Sequence, residues 1–223
     1  MSKKYKNLII FIGEGKSEWS FISSLLKNKY GYIQNNKNNI LLEKGKNLFC
    51  LAHPNMGTSH KGGDRTIYLE ETYKKIKPLL FSIKYLLDNS IKINYFISTD
   101  IKESKKKIIG SKKYINKHLI SFSGNIIIPF AEYEIETWFL AGIGDDFRKY
   151  YNIDEKEFNL FIKNKNIDKK LKTKGTLDKI LPEQISEKIS YIGEEFGRYI
   201  DIELGKSRSR SFKNFIEKLE EII

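Results

Sequence analysis

Cysteine is almost absent from this chain. Cys50 is the only one among 223 residues, so an intramolecular disulfide framework is excluded and a reducing compartment fits best. It lies in the apolar run Leu48-Phe49-Cys50-Leu51-Ala52, where a buried structural thiol is a better reading than a nucleophile. Long hydrophobic runs are missing too. No apolar stretch approaches the roughly 18 residues of a membrane-spanning helix, and the basic lead from Met1 to Lys6 runs straight into a strand pattern rather than a secretory core and cleavage site. These absences predict a soluble, cytoplasmic protein with no membrane association. Histidine is scarce, and His53 and His60 have no third clustered ligand, which argues against a zinc site and leaves them solvated or in contact with phosphate. No internal repeat is visible.

Charge of one sign is in excess. Forty Lys+Arg against 28 Asp+Glu give a formal net charge of +12 and a pI near 9.4, which favours an anionic partner, DNA or RNA first. Most of the excess is lysine, in a chain also rich in Asn and Ile, a composition that an AT-rich genome produces without selection for binding. The few arginines, Arg65, Arg148, Arg198, Arg208 and Arg210, therefore carry more weight, because arginine grips phosphate or carboxylate with two parallel donors.

The chain is organised around Asn7-Leu8-Ile9-Ile10-Phe11-Ile12-Gly13-Glu14-Gly15-Lys16-Ser17-Glu18. A continuous apolar run of strand length enters a Gly-x-Gly turn, and Trp19, Phe21-Ile22 and Leu25-Leu26 follow at helical spacing. Glu14 thus stands where a buried strand meets a helix N-terminus, the place where open α/β sheets carry their chemistry. Gly15-Lys16-Ser17 imitates the end of a phosphate-binding P-loop, but the first glycine of that motif would be residue 10, which is Ile10. A carboxylate in the turn would also repel phosphate unless a cation stood between them. A Mg²⁺ site answers both points; simple charge–dipole attraction of Glu14 to the helix end is the alternative.

Taken in order, the pattern predicts a helix over Glu18 to Lys29 and a polar, Asn-rich loop over Tyr30 to Asn39. Short strands then flank Glu43-Lys44-Gly45-Lys46, at Ile40 to Leu42 and Leu48 to Ala52. A glycine-rich functional loop follows from His53 to Asp64, holding Lys61. An amphipathic helix from about Arg65 to Leu87 is closed by Asp88-Asn89. Ile91 to Ile97 is a strand ending in Ser98-Thr99-Asp100, Lys102 to His118 is basic and broadly helical, and Gly124 to Phe130 is another strand. A helix beginning near Glu132 would set Glu132 and Glu136 on one face, with Ile135, Trp138 and Phe139 inward. Glu132, Glu134 and Glu136 repel one another unless a cation or solvent screens them. Everything beyond Gly142 reads as helix: Asp145 to Asn152, Asp154 to Lys163, Thr176 to Leu181, Pro182 to Arg198 and Ser209 to Ile223. The last starts from Gly205-Lys206-Ser207-Arg208-Ser209-Arg210-Ser211-Phe212, either a phosphate-binding helix terminus or an ordinary solvated linker.

The order strand-Glu14-Gly-Lys, strand-Asp100, strand-Glu134/Glu136 resembles the Toprim fold, the metal-binding domain of topoisomerases, primases and OLD-family nucleases. Phe11 to Glu18 with Phe21, Tyr133 to Ala141, and Ser211-Phe212-Lys213-Asn214-Phe215 look closer still to small Toprim-like proteins of RloB-like type, often found beside ATPases in phage-defence loci. The resemblance implies a Rossmann-like α/β fold with a mostly parallel sheet flanked by helices, a core over 1–142, and a helical C-terminal cap over 143–223. It implies Mg²⁺- or Mn²⁺-dependent cleavage of DNA or RNA, an ATPase partner protein and compatibility with a homo-oligomer. Glu14 would be general base or metal ligand, Asp100 and Glu136 (or Glu134) would hold the metal, and Lys16, Lys61, Arg208 and Arg210 would contact phosphate. Toprim domains usually carry Asp-x-Asp where this chain has Ser98-Thr99-Asp100, so a non-catalytic subunit that binds nucleic acid or an ATPase partner is the second expectation. A third takes Asp100-Ile101-Lys102 as the D-x-K of a restriction-type nuclease with Asp88 as its other acid, and leaves Glu14 unexplained.

Overall fold

Five consecutive apolar residues, Leu8 to Ile12, can be buried only if a strand has layers on both of its faces. A computed structural model describes residues 4–13, 16–35, 38–52, 78, 81–97, 99–100, 124–127, 130–131, 135–163, 167, 177, 180–181 and 189–223. In it β1 (Tyr5–Ile12) is an inner strand of a six-stranded sheet. The other strands are β2 (Ile33–Asn35), β3 (Asn38–Lys44), β4 (Asn47–Ala52), β5 (Leu87–Ile97) and β7 (Gly124–Ile127), in the order β2-β3-β4-β1-β5-β7. A short pair, β6 (Thr99–Asp100) and β8 (Phe130–Ala131), lies beyond β5 and β7. The described helices are α1 (Lys16–Tyr30), α2 (Glu136–Ala141), α3 (Asp145–Tyr150), α4 (Glu155–Ile162), α5 (Ile189–Tyr199), α6 (Ile202–Arg208) and α7 (Arg210–Glu220). The class is α/β. Among the described residues no helix is long and apolar enough to cross a membrane.

The sheet is mixed, which corrects the expectation of a mostly parallel one. β4, β1, β5 and β7 run parallel, but β2–β3 and β3–β4 are antiparallel. The cause is local. Gly45 takes a φ of +55°, and the turn at Gly45-Lys46 is too short for the crossover that parallel neighbours need, so β3 folds straight back on β4. The expected loop from Tyr30 to Asn39 likewise contains β2 and the start of β3. Its polar composition reflects an edge position, with Ile33 64% exposed, and pairing of Gln34 with Leu42 outweighs weak local propensity.

Alternation along β1 divides two cores. Ile9 and Phe11 face a layer built from α1, α2, α5 and α7, in one cluster that runs from Ile9 through Trp138 and Phe196 to Leu219. Phe11 meets Phe49 and Phe96 at 6.4 and 6.3 Å, and Phe215 reaches Phe96 and Trp138 at 5.4 and 4.4 Å, so the C-terminal helix closes over the sheet. Leu8, Ile10 and Ile12 face the other way, with Leu48, Cys50 and Tyr95. Cys50 is completely buried, and burial pushes its thiol up to about 12, in keeping with an inert structural role.

Helix α5 lies against α1 because two glycines four residues apart remove side chains from the contact. A Cβ on Gly193 would stand 2.2 Å from the Ser17 carbonyl oxygen, and one on Gly197 2.5 Å from that of Phe21. Three further expectations are corrected. Asp88 and Asn89 do not close a helix but lie in β5, which starts at Leu87; the predicted helix before it falls mostly outside the described residues. Helix α2 starts at Glu136 rather than near Glu132, where Thr137 to Ala141 can be buried. The segment from Ile202 to Arg208 is a helix, α6, capped by the Asp201 carboxylate accepting from the Leu204 amide.

Candidate functional site

Parallel pairing aligns the carboxyl ends of the strands. Ile12 is level with Ala52 on one side and Ile97 on the other, so β1, β4 and β5 finish together. From Ile12 the chain passes through Gly13 to Lys16, the first residue of α1. Glu14 and Gly15, which join them, lie outside the described residues, as do Lys61, Glu132, Glu134, His53 and His60. The first turn of α1 is fixed at this edge by the Trp19 indole, whose Nε1–H donates to the Leu51 carbonyl at 3.2 Å near the end of β4.

A separate short parallel pair, β6 with β8, follows β5 and β7 in the chain. Phe96 pairs with Ile127 and Asp100 with Ala131, both 31 positions apart, so β6 and β8 keep the register of the ladder before them. Asp100 is three residues after Ile97 in the chain, so its backbone lies within roughly 11 Å of that strand end. Five residues after Ala131, α2 opens with Glu136, which is half-buried and has a polar or electrostatic interaction of its own. The topology therefore puts the end of β1 at Ile12 and the Asp100–Ala131 pair on the carboxyl side of the sheet. Carboxylate donors at that edge suit a hard cation such as Mg²⁺ or Mn²⁺. Among the described residues, no three His, Cys, Asp or Glu side chains form a metal-binding group.

One carboxylate at this edge was not singled out in the sequence. Glu18, in the first turn of α1, is only 6% exposed, and its Cβ would lie 3.1 Å from a Cβ built on Gly13. The signal was available: Glu18 is four residues after Glu14, and a buried glutamate one turn into a helix that starts at a strand end is an unusual place for a charge. The same register bears on Asp88. Lys92 is level with Asn7, near the amino end of β1, and Ile97 with Ile12 at its carboxyl end, five extended residues and roughly 17 Å away. Asp88 lies further back still, at the amino end of β5, whereas Asp100 follows its carboxyl end, which argues against the restriction-type pairing of these two acids.

No family model, curated protein or solved structure matches the chain. The functional reading therefore rests on the carboxyl edge itself and on the motifs read from the sequence.

The two arginines proposed for phosphate have different situations. Arg208 is half-buried; its Nη1–H groups donate to the carbonyls of Ile143 at 2.9 Å and Ala141 at 3.3 Å, at the C-terminal end of α2. Burial, and after it the nearby Arg148 guanidinium, holds Arg208 below the usual arginine value. A six-residue helix is roughly 9 Å long, so Arg208 is fastened at the opposite end of α2 from Glu136. Arg210 is exposed at the start of α7. The serines around it are structural: Ser209 Oγ accepts from the Phe212 amide at 3.0 Å, and Ser211 Oγ accepts from the Trp138 indole at 2.8 Å. A cleft of about 550 Å³ between α1 and the helical tail is lined by Asp145, Asp146, Asp201 and Glu203 with Lys29. It contains none of the candidate carboxylates, and its acidic wall disfavours a polyanion.

Proposed function

We propose that this chain is a metal-dependent nuclease of Toprim type, cleaving phosphodiester bonds in DNA or RNA with Mg²⁺ or Mn²⁺. The observation that carries the reading is the 31-residue offset shared by the parallel pairs β5–β7 and β6–β8, which puts Asp100 in a short parallel pair just after the strand end level with Ile12, the residue two before Glu14. In this reading Asp100 and Glu136, or Glu134 in its place, supply carboxylate oxygens to the cation, and Glu14 acts as a further ligand or as the general base for water. A bound divalent ion would neutralise charge developing on the phosphate and lower the pKa of attacking water. Lys16 at the start of α1, Lys61 and the exposed Arg210 take the phosphate contacts, while Arg208 holds the end of α2. Work in phage defence beside an ATPase, and self-association, belong to the same proposal.

The test is cleavage of end-labelled DNA and RNA by the purified chain with Mg²⁺ or Mn²⁺, with EDTA as the control and with an ATPase partner added where one is known. Metal-dependent product supports the nuclease. A second reading, a non-catalytic subunit that binds nucleic acid or an ATPase, is favoured by Ser98 standing where an aspartate is expected. Binding without cleavage under all these conditions selects it.

A further inference from the structure

The positive charge is unevenly distributed. Residues 1–142 hold 23 Lys+Arg against 12 Asp+Glu, a net of +11, whereas residues 143–223 hold 17 against 16, a net of +1. Lysine-rich composition does not explain this, because the tail is at least as dense in cations; it differs in the carboxylates that answer them. The ion pairs Arg148–Asp145, Arg198–Glu195, Lys206–Glu220 and Lys218–Glu221 all lie in that tail.

Register gathers exposed lysines at the end of the sheet opposite Asp100. Asn7 is level with both Asn47 and Lys92, and Asn47 with Lys44. The Lys6 amide donates to the Lys46 carbonyl at 2.9 Å. Lys6, Lys44, Lys46 and Lys92 therefore meet at the amino edge, joined by Lys4 just before β1 and by Lys84, three residues before the Leu87 that pairs with Tyr5. All six are exposed, and none makes a direct ion pair with a described carboxylate. Two carboxylates lie among them, and Asp88 is held below the usual carboxylate value by its Ser90 hydrogen bonds and, after them, by the charges of Lys6 and Lys4. Glu43 accepts the Tyr5 hydroxyl, and Asp88 Oδ1 accepts from the Ser90 amide and hydroxyl at 2.9 and 2.8 Å.

We propose that this amino edge is a docking surface for the phosphate backbone of a nucleic acid, distinct from the carboxyl edge. The proposal rests on nucleic acid being the partner but not on catalysis. Exposed ammonium groups on flexible stems neutralise phosphates and release counterions without reading bases, which is the chemistry of positioning contacts. Six of them around two carboxylates form a patch complementary to a polyanion, and strand pairing fixes the backbones of Lys6, Lys44 and Lys92.

The experiment is fluorescence anisotropy of a labelled 20-base-pair DNA and a labelled single-stranded RNA, in EDTA, across 50 to 200 mM salt. Wild type is compared with Lys6→Gln/Lys46→Gln/Lys92→Gln and with Lys149→Gln/Lys156→Gln/Lys163→Gln, which removes the same charge from exposed positions in the tail. The edge variant should bind at least ~10-fold more weakly at 100 mM salt, with its log–log slope reduced by about 2 to 3 on duplex DNA. The tail variant should stay close to wild type, and circular dichroism melts of both should match it. An unchanged edge variant, or equal losses in the two variants, overturns the proposal while leaving the nucleic-acid reading intact. Absence of wild-type binding overturns both. Loss of affinity only for phosphatidylserine vesicles, with both oligonucleotides unaffected, also overturns it. With metal excluded, cleavage competence has no influence on the readout.

Discussion

Asp100 pairs with Ala131 at the same 31-residue offset that joins Phe96 to Ile127. The pairing is made by backbone groups, so it depends on the ladder and not on the carboxylate. Asp100→Asn should then melt within about 2 °C of wild type, a surface-scale effect of under roughly 0.5 kcal/mol. Its affinity for Mn²⁺, measured by isothermal titration calorimetry, should fall at least ~10-fold, since a neutral amide replaces a charged ligand. Unchanged affinity would remove Asp100 from the site.

The two C-terminal arginines should separate cleanly in stability. Arg208 donates to two main-chain carbonyls at the end of α2, and a charged donor of this kind contributes about 1.5 to 3 kcal/mol. Arg208→Ala should lower the urea midpoint accordingly, with exposure of the guanidinium placing the loss toward the lower figure. Arg210→Ala, at an exposed position, should leave the midpoint within error. Equal effects would contradict the structural role given to Arg208.

The contact between α1 and α5 predicts a steep cost for one methyl group. At Gly197 a Cβ would approach the Phe21 carbonyl oxygen to 2.5 Å and the Leu25 amide nitrogen to 2.7 Å, and both are backbone atoms of a packed helix. Gly197→Ala should destabilise the fold by more than about 2 kcal/mol in urea titration, despite the better helix propensity of alanine. A stabilised variant would mean that the helices are not this close.

Much of this was legible because the strongest patterns coincide with the strongest constraints. The run from Leu8 to Ile12 is apolar throughout because both faces of β1 are covered, and the helical spacing from Trp19 to Leu26 marks the face of α1 that enters the core. β2 was not legible, because an exposed edge strand owes its shape to its partner β3 and carries little pattern of its own. The start of α2 was misplaced for a related reason: Glu132 to Glu136 fit a helix by spacing, and burial of Thr137 to Ala141 sets where the regular helix begins. At the carboxyl edge, strand ends in the sequence pointed to Asp100, which follows β5, and to Glu14, which lies outside the described residues. Glu18 was passed over because its burial depends on the closeness of Gly13 rather than on any motif. The attachment of Arg208 joins residues some 65 positions apart and has no local signature.

Alkaline conditions should weaken the fold. Burial raises the Cys50 thiol from 9.0 to about 12 and the Tyr32 hydroxyl from 10.0 to about 12. In both cases the unfolded chain releases its proton first, so the stabilisation is complete below about pH 9 and is lost as pH rises toward about 12. Urea midpoints should fall across this window, by up to about 1.4 kcal/mol per pH unit for each group. Cys50→Ala should flatten the first part of the decline, and the native thiol should not react with a thiol-specific chromogen at pH 8 until the protein is unfolded.

The central claim is that Glu14 brings a catalytic carboxylate to a metal-bound phosphate at the carboxyl edge. The direct measurement is the single-turnover rate of Mg²⁺-dependent cleavage by wild type and by Glu14→Gln, which keeps shape and hydrogen bonding while removing charge and basicity. The account predicts a loss of at least ~100-fold with the melting temperature and the metal-free oligonucleotide affinity preserved. Cleavage by Glu14→Gln at the wild-type rate would contradict it.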